Sequence, residues 1–304
     1  MTRYLAPARQ VAAFFLLCTA TGAGHASDLQ ARNPMAPDVL VLGDSQLAFG
    51  AGPVFFEFFS NIAKICGASG RNQAFFKKFG STKARVMGVR STGIQHWTTT
   101  RWPAKKIICK EDPEWAVNAR LYGFPKRSNG QYVQIGKTPG FKYCSTPKPV
   151  LEVMMRDPSF RPRLLFLFFM GNAVDRWRST TAARSDVRRL TENLPADLPC
   201  IFMTTSPAYW TRSNTNRAKA QNNLKTAFAA GMNRCGFVAG IDDVTRSAIQ
   251  ANKGYFRKTP SGRVKDGFHI NKPGARKFVS LKRNEICSAV ARELAAPVTA
   301  VRKK

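Results

Sequence analysis

Histidine is nearly missing from this chain, with three in 304 residues. Setting aside His25, which falls in a candidate leader, leaves His96 and His269. Two isolated imidazoles exclude a histidine-rich catalytic zinc centre, and no two cysteines stand at the short spacing of a structural one. Acidic residues are scarce too: 18 against 48 Lys and Arg, a formal net charge of +30. No apolar run is long enough to span a bilayer. The absence of heptads, internal repeats and low-complexity tracts excludes coiled coils, solenoids and disordered arrays. A phosphate loop, a dinucleotide fingerprint and a Gly-x-Ser-x-Gly elbow are all lacking. So is any nucleic-acid-binding motif, and the basic residues are spread along the whole chain.

What is present is a chain with 44% hydrophobic residues and 22 Phe, long enough for one α/β domain with an insertion. Residues 1–26 read as an export signal: Arg3 and Arg9, a short apolar core over 11–20, then Gly24-His-Ala26 as a small-residue cleavage site. The remainder, 27–304, reads as the mature domain. It keeps six cysteines, Cys66, Cys109, Cys144, Cys200, Cys235 and Cys287, an even number that points to disulfides in an exported protein. Its charge of about +28 implies an anionic partner: an acidic polysaccharide, peptidoglycan or the surface of an anionic membrane. Export makes specific nucleic-acid binding a poor alternative.

Apolar runs at 38–43, 85–89, 164–169, 200–204 and 237–241 read as strands, the first uninterrupted and so buried on both faces. Between them lie helical spacings: an aromatic first helix from Val54 to Cys66, a polar Arg-rich helix at Thr180–Asn193, a long one over 214–233 and a closing one over 273–293. Strands alternating with helices predict a parallel sheet covered on both faces, with sites beyond the carboxyl ends of the strands. Ser45, Gly93 and Asn172 each follow a different strand, and His269 follows the last. Asp242, after the fifth strand, is read as a helix cap.

Four short motifs occupy those ends: Gly43-Asp-Ser45-Gln, Ser91-Thr-Gly93, Met170-Gly-Asn172 and Asp266-Gly-Phe-His269. Serine is inert at neutral pH unless an imidazole removes its proton, and the imidazole needs a carboxylate to fix its tautomer. In this order the motifs resemble those of the SGNH (GDSL-type) hydrolase superfamily of esterases. The resemblance runs from Asp38 to about Ser280 and leaves an insertion at about 97–163 unmatched. It implies a three-layer α/β/α flavodoxin-like sandwich with about five parallel strands and no cofactor. It makes Ser45 the nucleophile, His269 the base and Asp266 its partner. The oxyanion hole would comprise the Ser45 and Gly93 N–H groups and the Asn172 side chain. Met170 and Ala173 stand where the family carries Gly and Asp; Asp175 is expected to take over the loop-ordering role of the missing Asp. Gln46 replaces the commoner Leu.

Under that fold, Cys200 and Cys235 precede neighbouring strands, and Cys66 and Cys287 lie in helices on one sheet face. Cys109 and Cys144 then remain to close the insertion. The insertion interleaves Lys and Arg with aromatic residues. Most of these are expected to form an accessory core, with Trp97 and Trp102 as substrate contacts; His96, three residues past Gly93, is read as a surface or capping residue, with a place among the substrate contacts as the alternative. The resulting expectation is a serine esterase acting on acylated, anionic carbohydrate, above all on O-acetyl groups. A lipid esterase, a sugar acyltransferase and a non-catalytic cationic polysaccharide-binding protein are the alternatives.

Overall fold

The computed structural model describes residues 33–68, 72–77, 81–109, 118–230 and 234–295. The expected export signal and one aromatic residue of the insertion, Trp115, lie outside these residues. The first strand, β1 (Val39–Gly43), is fully buried. Its alternate residues feed two different cores, Val39 and Val41 into one and Leu40 and Leu42 into the other. A strand with both faces covered must be apolar throughout, and this one is. The same alternation recurs in β2 (Ala84–Val89) and in β5 (Leu164–Phe168), where Leu165 and Leu167 face one core and Leu164, Phe166 and Phe168 the other.

The sheet has seven strands. Five are parallel, in the order β2-β1-β5-β6-β7, with β6 at Cys200–Met203 and β7 at Cys235–Val238. The two extra strands, β3 (Ala119–Tyr122) and β4 (Gln131–Val133), come from the insertion and extend the sheet antiparallel beyond β2. Helices Gly52–Ser60, Ile62–Gly67 and Lys272–Ala295 cover one face through Phe55, Phe59, Phe278 and Ile286. Helices Val150–Arg156, Thr180–Asn193 and Thr211–Ala229 cover the other. The expected α/β/α sandwich is therefore formed, with its five parallel strands widened by two. Among the described residues no helix is long and apolar enough to cross a membrane.

Three disulfides close the expected pairs: Cys66–Cys287, Cys109–Cys144 and Cys200–Cys235. Cys235 sits inside its strand, in direct register with Cys200, rather than ahead of it, because β7 begins two residues before the expected 237. Their Cα atoms are 4.5 Å apart, near the spacing of neighbouring strands.

One element differs from the sequence reading. His269 does not follow the last strand on a loop. It sits in β9 (Val264–Ile270), which pairs antiparallel with β8 (Phe256–Lys258) as a separate two-stranded sheet. Basic residues interrupt the apolar alternation here and conceal the strands.

Candidate active site

In a sheet of order β2-β1-β5-β6-β7, the chain leaves β1 in both directions. The crevice between the carboxyl ends of β1 and β5 is the topological switch point. Ser45 emerges there, two residues past β1. The turn that carries it packs against β2 so closely that only glycine fits: a Cβ on Gly88 would lie 2.4 Å from the Ala48 nitrogen. Beyond Ser45 the backbone runs through a short π-helical stretch, Leu47–Ala51, into Gly52–Ser60 with Pro53 in its first turn.

Ser45 Oγ lies 2.7 Å from His269 Nε2, across 224 residues of sequence. His269 Nδ1 lies 2.5 Å from Asp266 Oδ2. The other Asp266 oxygen accepts the backbone N–H groups of Phe268 (3.0 Å) and His269 (3.1 Å). Burial alone would raise the Asp266 pKa. The His269 hydrogen bond and charge, with the two amides, outweigh it and hold the carboxyl below its ordinary range. Asp266 thus stays ionised and, by accepting at Nδ1, leaves Nε2 free to receive the serine proton. The Phe49 ring meets the His269 ring edge-on at 4.8 Å, and the Arg257 guanidinium lies over the Phe49 ring, also at 4.8 Å. Ring packing and the Asp266 bond together fix the imidazole plane.

Two neighbours of Ser45 carry roles that sequence reasoning missed. Gln46 donates from Nε2 to the Phe268 carbonyl at 2.5 Å, clamping the turn that bears the base to the turn that bears the serine. Asp44 is fully buried. Its carboxylate accepts the N–H groups of Gln46 (2.9 Å), Met170 (3.2 Å) and Gly171 (2.9 Å). Burial pushes its pKa up, while these amides and the His269 charge pull it back. Asp44 therefore orders the Met170-Gly-Asn172 loop from the nucleophile side. Asp175, expected to do so, is 92% exposed at its side chain and pairs with Arg178 at 3.8 Å. It follows Asn172 by three residues and points to solvent instead of back into the loop.

Behind this loop, Arg217 of Thr211–Ala229 is buried, donating to Thr205 Oγ1 and to the Ser206 carbonyl. Burial lowers its pKa to about 10, offset in part by the Asp44 charge. A polar-looking helix gave no signal that one of its arginines turns inward. Asp242 is a helix cap as read, accepting the Thr245 N–H at 2.8 Å, and it also pairs with the buried Lys282.

The oxyanion side is arranged differently from the expectation. Asn172 Nδ2 donates one hydrogen to the Thr92 carbonyl at 3.0 Å, and the amide keeps a second. The Gly93 N–H is engaged: it donates to His96 Nδ1 at 2.8 Å, closing the first turn of the helix Ile94–Trp97. His96 thus serves as a cap here, and burial depresses its pKa against the pull of the Asp186 charge. Trp97, expected to touch substrate, is fully buried and packs near Phe169, with 6.4 Å between ring centroids. One helical turn after Gly93 rotates its ring into the core. Trp102 is 59% exposed. The insertion's Tyr122, Phe124, Phe141 and Tyr143 are buried, as an accessory core requires.

No family model matches the chain. No curated protein matches it either. Among solved structures it is similar to a Streptococcus pneumonia protein named for platelet activating factor, at 13% identity and a TM-score of 0.42, over 83% of this chain and 84% of that one. A Clostridium thermocellum family 3 carbohydrate esterase matches at 13% identity and a TM-score of 0.38, over 84% and 99%. A salicylyl-acyltransferase from a tetracycline biosynthetic pathway matches at 10% identity and a TM-score of 0.33, over 45% and 40%. At these values the likenesses carry no argument about chemistry, which rests on the geometry of Ser45, His269 and Asp266.

Proposed function

We propose that the chain is an exported serine esterase of the SGNH type. Its signal would be residues 1–26, and the domain 27–304 would act on O-acyl, above all O-acetyl, groups of an anionic carbohydrate. The observation that carries this reading is the continuous relay from Ser45 Oγ through His269 to Asp266 at the switch point of the sheet. His269 Nε2 removes the Ser45 proton as Oγ bonds to the ester carbonyl carbon. The tetrahedral oxyanion is held by the free hydrogen of Asn172 Nδ2 and the Ser45 N–H. The Gly93 N–H joins them on leaving His96. Collapse breaks the bond to the alkoxide, which takes the proton from Nε2. Water then repeats the sequence on the acyl-serine and releases the carboxylic acid. Three disulfides accord with export to an oxidising compartment.

The test is hydrolysis of acetyl, butyryl and longer esters by the mature chain beside Ser45→Ala. We expect activity on short esters, reduced by at least about a thousandfold in the variant at unchanged fold. Equal rates in the two chains would end the mechanism. One observation favours a second reading, a cationic glycan-binding protein without activity: the engaged Gly93 N–H. A parent chain inert on all these esters would support it.

A further inference from the structure

Immediately beside His269 the surface carries two aromatic rings that the relay does not use. Trp210 is 42% exposed and Phe268 45%. Their centroids are 5.1 Å apart with planes at 65°, forming a corner. Both are fixed. Trp210 lies so flat on the backbone of the base turn that a Cβ on Gly267 would come within 2.7 Å of its ring. The neighbouring Tyr209 N–H donates to the Gly267 carbonyl at 2.7 Å. Phe268 is held through its carbonyl by Gln46. Half-exposed rings fixed by backbone contacts lose little entropy on binding, which suits recognition more than packing.

The surroundings are cationic. Lys258, Arg263 and Lys265 on the hairpin and Arg212 after Trp210 are exposed, and none of the four pairs with an acid among the described residues. The one acid of the hairpin, Asp266, is committed to His269 and lies 3.6 Å from Arg257.

We propose that Trp210 and Phe268 form a stacking platform for one sugar ring of the substrate, and that Lys258, Arg263, Lys265 and Arg212 receive the carboxylates of neighbouring residues. This rests on the esterase reading and names its substrate class, a polyuronate bearing O-acyl groups. The apolar C–H face of a pyranose matches an aromatic face, while its hydroxyls and acid groups stay in water. Two rings give room for one sugar; a bilayer or a long acyl chain calls for a broader apolar surface. Among the described residues the other exposed large hydrophobic side chains are Met35, ahead of β1, Trp102 and Ile107 in the helix Trp102–Cys109, and Val244 in the helix Asp243–Ile249. The platform also relocates recognition from the insertion to the hairpin that carries the base.

The experiment measures binding in the Ser45→Ala chain, which leaves esters intact, so the result does not depend on turnover. The probes are partly O-acetylated oligogalacturonate, neutral acetylated xylo-oligosaccharide, and vesicles of phosphatidylglycerol with phosphatidylcholine. We expect the acidic oligosaccharide to bind at least about tenfold more tightly than the neutral one at low salt, a gap that narrows as salt screens the charges. Trp210→Ala should weaken it about tenfold and Trp210→Phe by less than about threefold. Arg263→Glu with Lys265→Glu should erase the preference for acid. A folded Trp210→Ala chain that binds like its parent overturns the platform, as does preference for the vesicles. If Trp210→Ala does not fold, Trp210→Phe and the charge pair decide alone. A parent without esterase activity would remove the reaction and leave these binding results to judge the surface.

Discussion

On the base side of the site, residues from both ends of the chain hold one another in place. Asp266 takes His269 and two amides, Gln46 takes the Phe268 carbonyl, and Asp44 takes three N–H groups, one of its own turn and two of the next loop. On the oxyanion side, Asn172 is anchored by one hydrogen bond and the Gly93 N–H is spent on His96. Under the proposed mechanism the first half is preorganised for proton transfer. The second must exchange one hydrogen bond before all its donors converge. In the proposed reaction, such a site concentrates rigidity where the proton would move and leaves adjustability where the oxyanion would form.

The sharpest way to break the contrast is at Asp266. Asp266→Asn should lower kcat by about a thousandfold or more with folding preserved, because Nδ1 then loses the acceptor that sets its tautomer. On the other side, Asn172→Ala should cost about a hundredfold in kcat, the scale of one oxyanion donor. A loss under threefold would show that another group fills its place. Gln46→Leu removes only the clamp. A net hydrogen bond of about 1 kcal/mol corresponds to roughly a fivefold fall in kcat, with KM little changed.

The smallest effect separates the halves by sign. His96→Ala frees the Gly93 N–H from a competing acceptor, so kcat should rise by about two- to fivefold. A tenfold fall would mean that His96 orients the amide instead. The same contact gives a pH signature. His96 titrates below the ordinary imidazole value of 6.5 because it is buried. The unfolded chain therefore takes this proton first. The His96 contribution to stability is constant above 6.5, falls as pH drops from there to the lower folded value, and is flat below that. The Gly93 amide resonance should move across the lower part of that window, and thermal unfolding in His96→Asn should lose this part of its acid dependence.

The meeting of Ser45, His269 and Asp266 was legible because each lies in a short motif and the order of the motifs carries the information, although Asp266 and His269 sit within β9 rather than past a strand. The five parallel strands were legible because strands buried on both faces must be uninterrupted apolar runs. The hairpin holding His269 was not, since Arg257, Lys258, Arg263 and Lys265 break its alternation. Trp97 was misplaced because distance along the chain from Gly93 says nothing of which way one helical turn faces. Gln46 was legible only as a departure from Leu; its purpose needs the Phe268 carbonyl, which is 222 residues away. For Trp210 the available signal was Gly267, a residue without a side chain set between Asp266 and His269, which marks a place where something flat must fit.

The bond between Cys66 and Cys287 spans 221 residues. Ser45 lies on the amino side of that ring, and His269 lies within it near its end. A protease that cuts once at the exposed turn around Lys126 and Arg127 would separate serine from base in sequence, yet Cys66–Cys287 and Cys109–Cys144 both bridge the cut. The nicked protein would remain one molecule of full mass without reductant and fall into two fragments with it. The disulfides therefore set how much backbone damage the site survives.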